Sequence, residues 1–476
     1  MYRQIRLHPN DRNYQLILWR KNPTDKIRYF RLNTVTYGTA CAPYLATRCL
    51  QQLAITAPTH LQVGATAIKQ NLYVDDCLSG ADTLDEARKQ QDQVRQLLGS
   101  ANLNLRKWCA NHPALLETIP KEDQEMDLDF SRFSDSTIKT LGIIWNPQED
   151  QLQGRATTLE VGPVSKRIVC SELAKIFDPL GLLCPVTTTA KIFMQQLWQN
   201  DLDWDTILDS KDTQQWQNFR KESQTLSSLQ FPRCPLTKDR HATTQLHIFT
   251  DASETAYGAT AYLRSNSTRT GVESHLLCAK SRVAPLVKQT LLRLELCAAV
   301  LVAELADIVK TDLPFDMQEV YYWTDSEIVL AWITASVSSF HTFVANRVSR
   351  IHEISMPEQW VHVASEQNPA DLVSRECKAP QLQQHELWFN GPTFLKKEPR
   401  EWGRGIKKGI IYEGPEKRKV TANIVISAEN NGWIDNINHR GSFKVLLRVT
   451  VWLLRFKHNV KNTKKTGRQD QSLQNK

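Results

Sequence analysis

The sequence lacks the continuous apolar run of about 20 residues that a membrane-spanning helix needs, so nothing in it predicts a span. Its opening stretch, MYRQIRLHPNDRNYQ, has no apolar core of the kind found in signal peptides. Its ten cysteines form no CxxC pair and no zinc-finger spacing. We therefore expect reduced thiols, as in an intracellular protein. The tripeptides D-T-G and D-S-G, in which aspartic peptidases usually display their paired carboxylates, are also absent.

Length and charge are more informative than overall composition. A chain of 476 residues with 41% hydrophobic and 23% charged residues is typical of globular protein and predicts about three domains. The formal charge of +8 divides into +2 for residues 1–240, −5 for 241–380 and +11 for 381–476. The acidic middle suits a metal-dependent site. The basic end is either a surface for phosphate contacts or a solvated linker, and both interpretations stay open.

Four acids in the middle segment lie in four separate apolar elements: Asp251, Glu295, Asp325 and Asp371. Apolar spacing predicts strands at 246–253, 257–263, 275–281, 319–326 and 360–363, and helices at 289–310, 340–355 and from Asp371 onward. The predicted order βββαβαβα gives a mixed sheet flanked by helices. A fold of this kind gathers residues at strand ends into one crevice.

Converging carboxylates repel one another unless cations neutralise them. Carboxylate oxygens suit Mg²⁺ or Mn²⁺, and two such ions roughly 3.5–4 Å apart can activate water and stabilise the leaving oxygen of a phosphodiester. The simpler alternative is that these are four of 51 ordinary surface acids. The repeated arrangement of a strand followed by Thr-Asp, at 250–251 and 324–325, argues against that alternative.

The segments FTDAS, LRLELCAAVL, WTDSEIVLAWI and NPADLVSR resemble the four acidic motifs of the RNase H fold, in the version carried by the Pao (BEL/Pao) group of LTR retrotransposons. The resemblance implies an endonuclease that cuts the RNA strand of an RNA–DNA hybrid. It implies that all four acids bind two Mg²⁺ or Mn²⁺ ions, with Glu295 near the scissile phosphate. Many relatives carry a mobile His in the loop before the last Asp. That loop here reads ASEQNPA, and we expect His362, in the preceding strand, to be structural.

A second pair of acids follows an apolar run in LYVDDCLSGA (72–81), and we expect Asp75 and Asp76 in a tight hairpin turn. Such a pair alone is also common in ordinary turns. Together with TYGTACAP, LRKW and LGIIW, however, it resembles the palm of a reverse transcriptase. The positions that this resemblance assigns to substrate contact are Tyr2, Gly38, Tyr73, Lys107 and Gly142, with Leu141 beside the last. The remaining palm aspartate would precede Met1, so we expect part of a palm and no DNA polymerisation by this chain.

The flanking segments carry little visible chemistry. SKRIVCSELAKIFDPLGLLCPVTTTAKIFMQQLWQ (165–199) predicts a helix, a turn containing Asp178 and a second helix. It resembles the Pao region that family catalogues label a peptidase, but we expect a connection that holds hybrid. LWFNGPTFL resembles the linker ahead of integrase in these elements. Residues 442–459 predict an amphipathic helix, which also resembles the lead-in to the integrase zinc-binding region.

The predicted architecture is a multidomain α/β and α+β chain. Its parts are a partial reverse transcriptase palm (1–146), a mostly helical connection (147–240), an RNase H-like domain (241–380) and a basic extension (381–476). We expect a retrotransposon pol fragment that acts on RNA–DNA hybrid and template–primer nucleic acid, in the cytoplasm within a virus-like particle or in the nucleus. The alternatives are a decayed or domesticated copy that binds nucleic acid without cutting it and, less favoured, a Pao-type aspartic peptidase.

Overall fold

The computed structural model describes residues 1–125, 138–140, 142–154, 162–237, 239, 241–313, 317, 319–375, 377–402, 412–418 and 443–462. Contacts divide the chain into two compact units, residues 1–418 and residues 419–476. Among the described helices, none combines the length and the apolar character that crossing a bilayer requires.

The N-terminal part contains a short exposed hairpin and three packed helices. Its elements are β1 (Leu16–Trp19), β2 (Arg28–Arg31), α1 (Ala42–Ile55), α2 (Gln62–Asn71), β3 (Leu72–Tyr73), β4 (Asp76–Cys77) and α3 (Leu84–Ser100). α3 begins with a capping box, in which Glu86 N donates to Thr83 Oγ1 at 3.3 Å and Thr83 N donates to Glu86 Oε2 at 3.1 Å. Buried Leu50, Ile68 and Leu97 join the three helices in one cluster.

The middle of the chain forms three helices and a small antiparallel sheet. Its elements are β5 (Ile138–Thr140), β6 (Ile143–Asn146), β7 (Gln151–Gln153), α4 (Lys166–Lys175), α5 (Cys184–Gln199), α6 (Ser210–Ser223) and β8 (Gln230–Pro232). β8 pairs with β7, about 80 residues earlier in the chain, in the order β5-β6-β7-β8. Inside the helical part, Glu172 accepts hydrogen bonds from Trp216 and Arg220. All three side chains are buried, so this ion pair is fully hydrogen-bonded, as burial of charge requires.

A five-stranded mixed sheet dominates the rest of the first unit. The elements of this part are β9 (Thr243–Ala252), β10 (Ala256–Ser267), β11 (Gly271–Val283), α7 (Leu291–Asp312), β12 (Glu319–Thr324), α8 (Glu327–Thr334), α9 (Thr342–Ile354), β13 (Trp360–His362), α10 (Asp371–Ser374), α11 (Ala379–Leu382) and α12 (Glu386–Asn390). The strand order is β11-β10-β9-β12-β13, antiparallel on the β10 side and parallel from β9 to β13. The second unit contains α13 (Phe443–Asn462).

Both faces of this sheet are covered. One face packs against α7, α8 and α9 through a core that includes Ile248, Leu301 and Trp332. The other face packs against residues 180–186, 226–231 and 379–402. Two-sided burial explains why β9 is buried along almost its whole length rather than at alternate residues.

The turn between α4 and α5 attaches the middle helices to the sheet. Ala279 N of β11 donates to Leu180 O at 2.8 Å. Gly181 has φ +72°, and a Cβ there would lie 1.8 Å from Ala279 O, so only glycine allows this approach. Asp178 accepts a hydrogen bond from Leu183 N at 2.9 Å, which agrees with its predicted role as a turn residue.

Residues 379–402 also pack on the sheet, beyond the predicted end of the nuclease domain at 380. Trp388 is fully buried; its indole donates to Leu182 O at 3.0 Å, and its carbonyl accepts from Tyr262 Oη at 2.9 Å. The buried guanidinium of Arg264 donates to Leu395 O and Lys397 O. The sequence predicted a linker here because the stretch is rich in Pro, Gly and charge. Its buried side chains nevertheless fill the sheet surface.

The other predicted elements compare as follows. The strands expected at residues 246–253, 257–263, 275–281, 319–326 and 360–363 are present, as are the helices at 289–310 and 340–355. α8 was not predicted, and the helix beginning at Asp371 is only four residues long. Most of the LGIIW segment lies in β6, which pairs with β5 in a hairpin. Leu141 lies outside the described residues. The extension after residue 402 also lies outside them, except for residues 412–418 and 443–462.

We predict that Trp388→Ala destabilises the first unit, because it empties a fully buried site and removes the bond to Leu182 O. Truncating a buried Trp typically costs about 3–5 kcal/mol. Thermal unfolding followed by circular dichroism measures the effect as a lower Tm. The matched control is Trp452→Ala, since that side chain is 70% exposed in the second unit. Equal Tm values for the two variants would show that residues 379–402 do not stabilise the sheet.

Candidate active site

The parallel pairing of β9 and β12 places two of the four acids side by side. Thr250 and Thr324 are in register, so the residues that follow them, Asp251 and Asp325, leave the same end of adjacent strands. Glu295 lies near the start of α7, which packs on β9 and β10. Asp371 is the first residue of α10. The predicted strand-end crevice thus corresponds to one edge of the sheet.

A glycine in β10 allows α10 to reach this edge of the sheet. Gly258 of β10 is in register with Asp251. A Cβ at Gly258 would lie 2.3 Å from Val373 Cγ1 of α10, so a larger residue would displace the helix. The loop before α10 is fixed as well, because the buried amide of Asn368 donates to Thr250 O at 3.0 Å. Both contacts hold Asp371 close to the ends of β9 and β12.

Each of the four carboxylates has its own side-chain partner. The pairs are Ser374 Oγ with Asp251 Oδ2, Ser326 Oγ with Glu295 Oε2 (2.5 Å), Ser365 Oγ with Asp325 Oδ2 (2.8 Å) and Arg375 Nε with Asp371 Oδ1 (2.6 Å). The serines donate hydrogen bonds. The Arg375–Asp371 contact is an ion pair without hydrogen-bond geometry, and Asp371 Oδ1 is buried with no hydrogen-bond donor. Among the described residues, this oxygen therefore has a charged neighbour but no hydrogen bond.

The carboxylates also interact with one another. Burial, followed by the charges of Asp325 and Asp371, raises the pKa of Asp251 to about 7, although the Ser374 hydrogen bond opposes the shift. Burial and then the charge of Asp325 raise the pKa of Glu295. Burial raises the pKa of Asp371 too, with Arg375 opposing and Asp325 adding. The charge of Asp325 thus acts on all three other acids, so the four form one electrostatic cluster.

This donor set suits a hard divalent cation. All four side chains offer carboxylate oxygens, the ligands that Mg²⁺ and Mn²⁺ prefer, and a cation would offset their mutual repulsion. Within the described ranges, no three or more His, Cys, Asp or Glu side chains are arranged as a ready metal-binding group. The fit therefore rests on the chemistry and electrostatics of the donors and not on a preformed cage.

The structure places the predicted polymerase residues apart from this edge. Asp75 and Asp76 are exposed at the β3–β4 hairpin, where Val74 has φ +58°, and Tyr73 pairs with Asp76. The other predicted substrate contacts are Tyr2 in a 3₁₀ turn, Gly38 in a turn before α1, Lys107 with Nζ 3.7 Å from Glu125 Oε1, and Gly142 against the Phe177 ring. The predicted hairpin at Asp75–Asp76 is confirmed. Substrate contact at the other positions stays a prediction.

Sequence reasoning missed the partners of the acids. Two of these partners lie close to an acid in the sequence. Ser326 directly follows Asp325 in the motif WTDSEIVLAWI, and Ser374 lies one helical turn after Asp371, so both could have been predicted as hydrogen-bond donors. Ser365 carries no such signal, because it bonds Asp325 from 40 residues away. His362 lies in β13 in register with Thr324, next to the site but within the strand.

Comparison with known proteins assigns part of the chain to a class of domain. Residues 165–326 match a family model described as a Pao retrotransposon-like RNaseH-like domain. The chain thus contains an RNase H-like domain. More particularly, that domain is of the Pao retrotransposon kind, which confirms the resemblance found in the sequence. The match begins at residue 165, in the predicted connection. No curated protein sequence matches the chain significantly.

Solved structures give weaker likenesses. RNase H1 from the halophilic archaeon Halobacterium salinarum NRC-1 is 15% identical, with 27% of this chain and 90% of that one covered and a TM-score of 0.19. LC11-RNase H1 in complex with RNA/DNA hybrid is 17% identical, with 28% and 93% covered and a TM-score of 0.20. The foamy viral protease-reverse transcriptase in complex with dsDNA is 12% identical, with 75% and 65% covered and a TM-score of 0.19.

We predict that Asp251→Asn raises the Tm at pH 8 in EDTA. The folded-state pKa of about 7 exceeds the unfolded value of about 3.9, so the folded state loses stability as pH rises through that window. Asparagine avoids this loss, and its advantage should narrow at pH 5.

The control is Asp239→Asn, near the opposite end of β10. Hydrogen bonds from Ser267 and His241 N lower the pKa of Asp239. Its carboxylate therefore stabilises the folded state above the unfolded pKa of about 3.9, and this stabilisation is lost as the pH falls through the folded-state pKa. Its removal should lower the Tm at pH 8. A lower Tm for both variants would contradict the electrostatic strain assigned to Asp251.

Proposed function

We propose that this chain is an RNase H-type nuclease that hydrolyses the RNA strand of an RNA–DNA hybrid, within a retrotransposon pol fragment. The observation that carries the proposal is the cluster of four electrostatically coupled carboxylates at the edge of an RNase H-like sheet. The Pao RNaseH-like match supports the same reading. We extend the proposal to two Mg²⁺ or Mn²⁺ ions as cofactors, on the basis of the donor set.

The chain's own residues would bind and orient the reacting groups. Asp251, Glu295, Asp325 and Asp371 would hold the cations, which supply charge stabilisation and water activation when bound. Glu295 would lie beside the scissile phosphate, with its Oε2 oriented by Ser326. Because the serines and Arg375 already fix one oxygen of each carboxylate, little reorganisation is needed when substrate binds.

The acidic pair at the hairpin lies outside the proposed reaction. Asp75 and Asp76 are solvent-exposed there, and the hydrolysis that we propose does not use them. A non-cutting nucleic-acid-binding protein is the competing function, and the cleavage experiment below decides between the two. The family match describes an RNaseH-like domain where the weaker peptidase alternative would lie.

We predict that the full 476-residue chain cleaves the labelled RNA strand of a hybrid in Mg²⁺, resolved on a denaturing gel. Asp325→Asn should lower the rate by roughly a hundredfold or more, because losing a ligand costs at least as much as the 10–100-fold typical of groups that only orient ligands. The full chain is needed because residues 180–231 and 379–402 complete the core of the sheet.

The matched control is Asp239→Asn, an aspartate that bonds Ser267 outside the cluster. It should cleave like the wild type, and EDTA should abolish cleavage in both. Equal rates for Asp325→Asn and the wild type would assign the activity to a contaminant. Tight hybrid binding without any cleavage by the wild type would favour the non-cutting alternative.

We also predict that hybrid affinity depends on salt and that residues 419–476 contribute to the dependence. This stretch has eleven Lys and Arg against three acids, a balance of +8. Phosphate neutralisation releases counterions, so each lost phosphate contact flattens the plot of log K against log salt by about 0.9 on B-form DNA. Fluorescence anisotropy at several salt concentrations compares the full chain with residues 1–418. An unchanged slope would show that the stretch is only a linker.

A further inference from the structure

Ser374 occupies a junction at the edge of the sheet. The residue is fully buried in α10, and its Oγ donates to Asp251 Oδ2. The same Oγ lies 3.2 Å from Asp371 O, and the Ser374 carbonyl accepts a hydrogen bond from Ser253 Oγ at 2.6 Å. Through its hydroxyl and its carbonyl, Ser374 therefore connects β9, the turn after it and the helix that carries Asp371.

The carboxylate of Asp251 depends on this hydroxyl for its orientation. In the described part of the chain, Ser374 gives Asp251 its one side-chain hydrogen bond. Asp251 is itself only 7% exposed, so bulk water cannot replace the donor freely. The serine is also held in place, because Val373 beside it packs directly on Gly258, the register partner of Asp251.

We propose that Ser374 is a positioning residue, whose hydroxyl fixes the rotation of the Asp251 carboxylate so that a divalent cation meets a preset oxygen. The proposal rests on the nuclease function proposed above. Partners that orient metal ligands typically change metal affinity or activity by about 10–100-fold when they are removed. Ser374 belongs to this class, since it reaches the reaction only through Asp251.

The test measures Mn²⁺ binding and hybrid cleavage with the full chain. Free Mn²⁺ is quantified by electron paramagnetic resonance, with Asp325→Asn setting the background. Ser374→Ala removes the hydroxyl, and Ser374→Cys keeps a side chain of similar size with a weak donor. Both should lower Mn²⁺ affinity about tenfold and raise the metal concentration for half-maximal cleavage, while kcat at saturating Mn²⁺ recovers most of its value.

The matched control is Ser267→Ala. Ser267 is also a buried serine, and it donates to an aspartate, Asp239, at 2.6 Å, but that aspartate lies outside the cluster. Its removal should leave Mn²⁺ affinity unchanged. Circular dichroism and Tm establish folding for every variant.

The outcomes separate the two proposals. A wild-type chain that neither binds Mn²⁺ above background nor cleaves hybrid would overturn the proposed function. A wild type that does both, with Ser374→Ala and Ser374→Cys matching Ser267→Ala in Mn²⁺ affinity, would overturn the positioning role alone. Unfolding of both Ser374 variants while Ser267→Ala stays folded would also overturn it, in favour of a purely structural serine.

Discussion

The constraint on which the site depends is the parallel register of β9 and β12. Because Thr250 and Thr324 are paired, two aspartates leave neighbouring strands at the same edge. Adjacent strands lie about 4.8 Å apart, and two unit charges at that separation repel by roughly 3–4 kcal/mol at an effective dielectric constant of 20. The hydroxyls of Ser365 and Ser374 and the Arg375 guanidinium each stabilise one of the clustered carboxylates against that repulsion.

The register in turn depends on covering both faces of the sheet. Central strands with parallel neighbours are stable when neither face meets water, and here α7 to α9 cover one face while the α4–α5 turn, residues 226–231 and residues 379–402 cover the other. The five-stranded sheet and the middle helices therefore share one core. A family match that begins at residue 165, ahead of the first sheet strand, is consistent with this shared core.

The sequence predicted those features whose signal is local. Strand runs ending in Thr-Asp and the helical spacing around Glu295 predicted the elements of three acids, Asp251, Glu295 and Asp325. Pairing of β7 with β8 could not be predicted, because each strand has three residues and they lie far apart in the chain. The packing of Trp388, Leu395 and Trp402 was missed because the Pro, Gly and charge content of their stretch predicted a linker. Ser365 was missed because its partner is defined only by the fold.

The acidic pair at the hairpin and the four-acid cluster at the sheet edge differ in solvation. We assign the proposed function on the basis of that difference. Asp75 and Asp76 are exposed at a hairpin, where water screens their charges without any further partner. Asp251 is 7% exposed and lies within the field of two other carboxylates. Burying such charges is costly unless something compensates for them, and a fold retains that cost when the charges do chemistry. Uncompensated carboxylates destabilise this edge of the sheet. For the same reason, we propose that a divalent cation and a phosphate bind there.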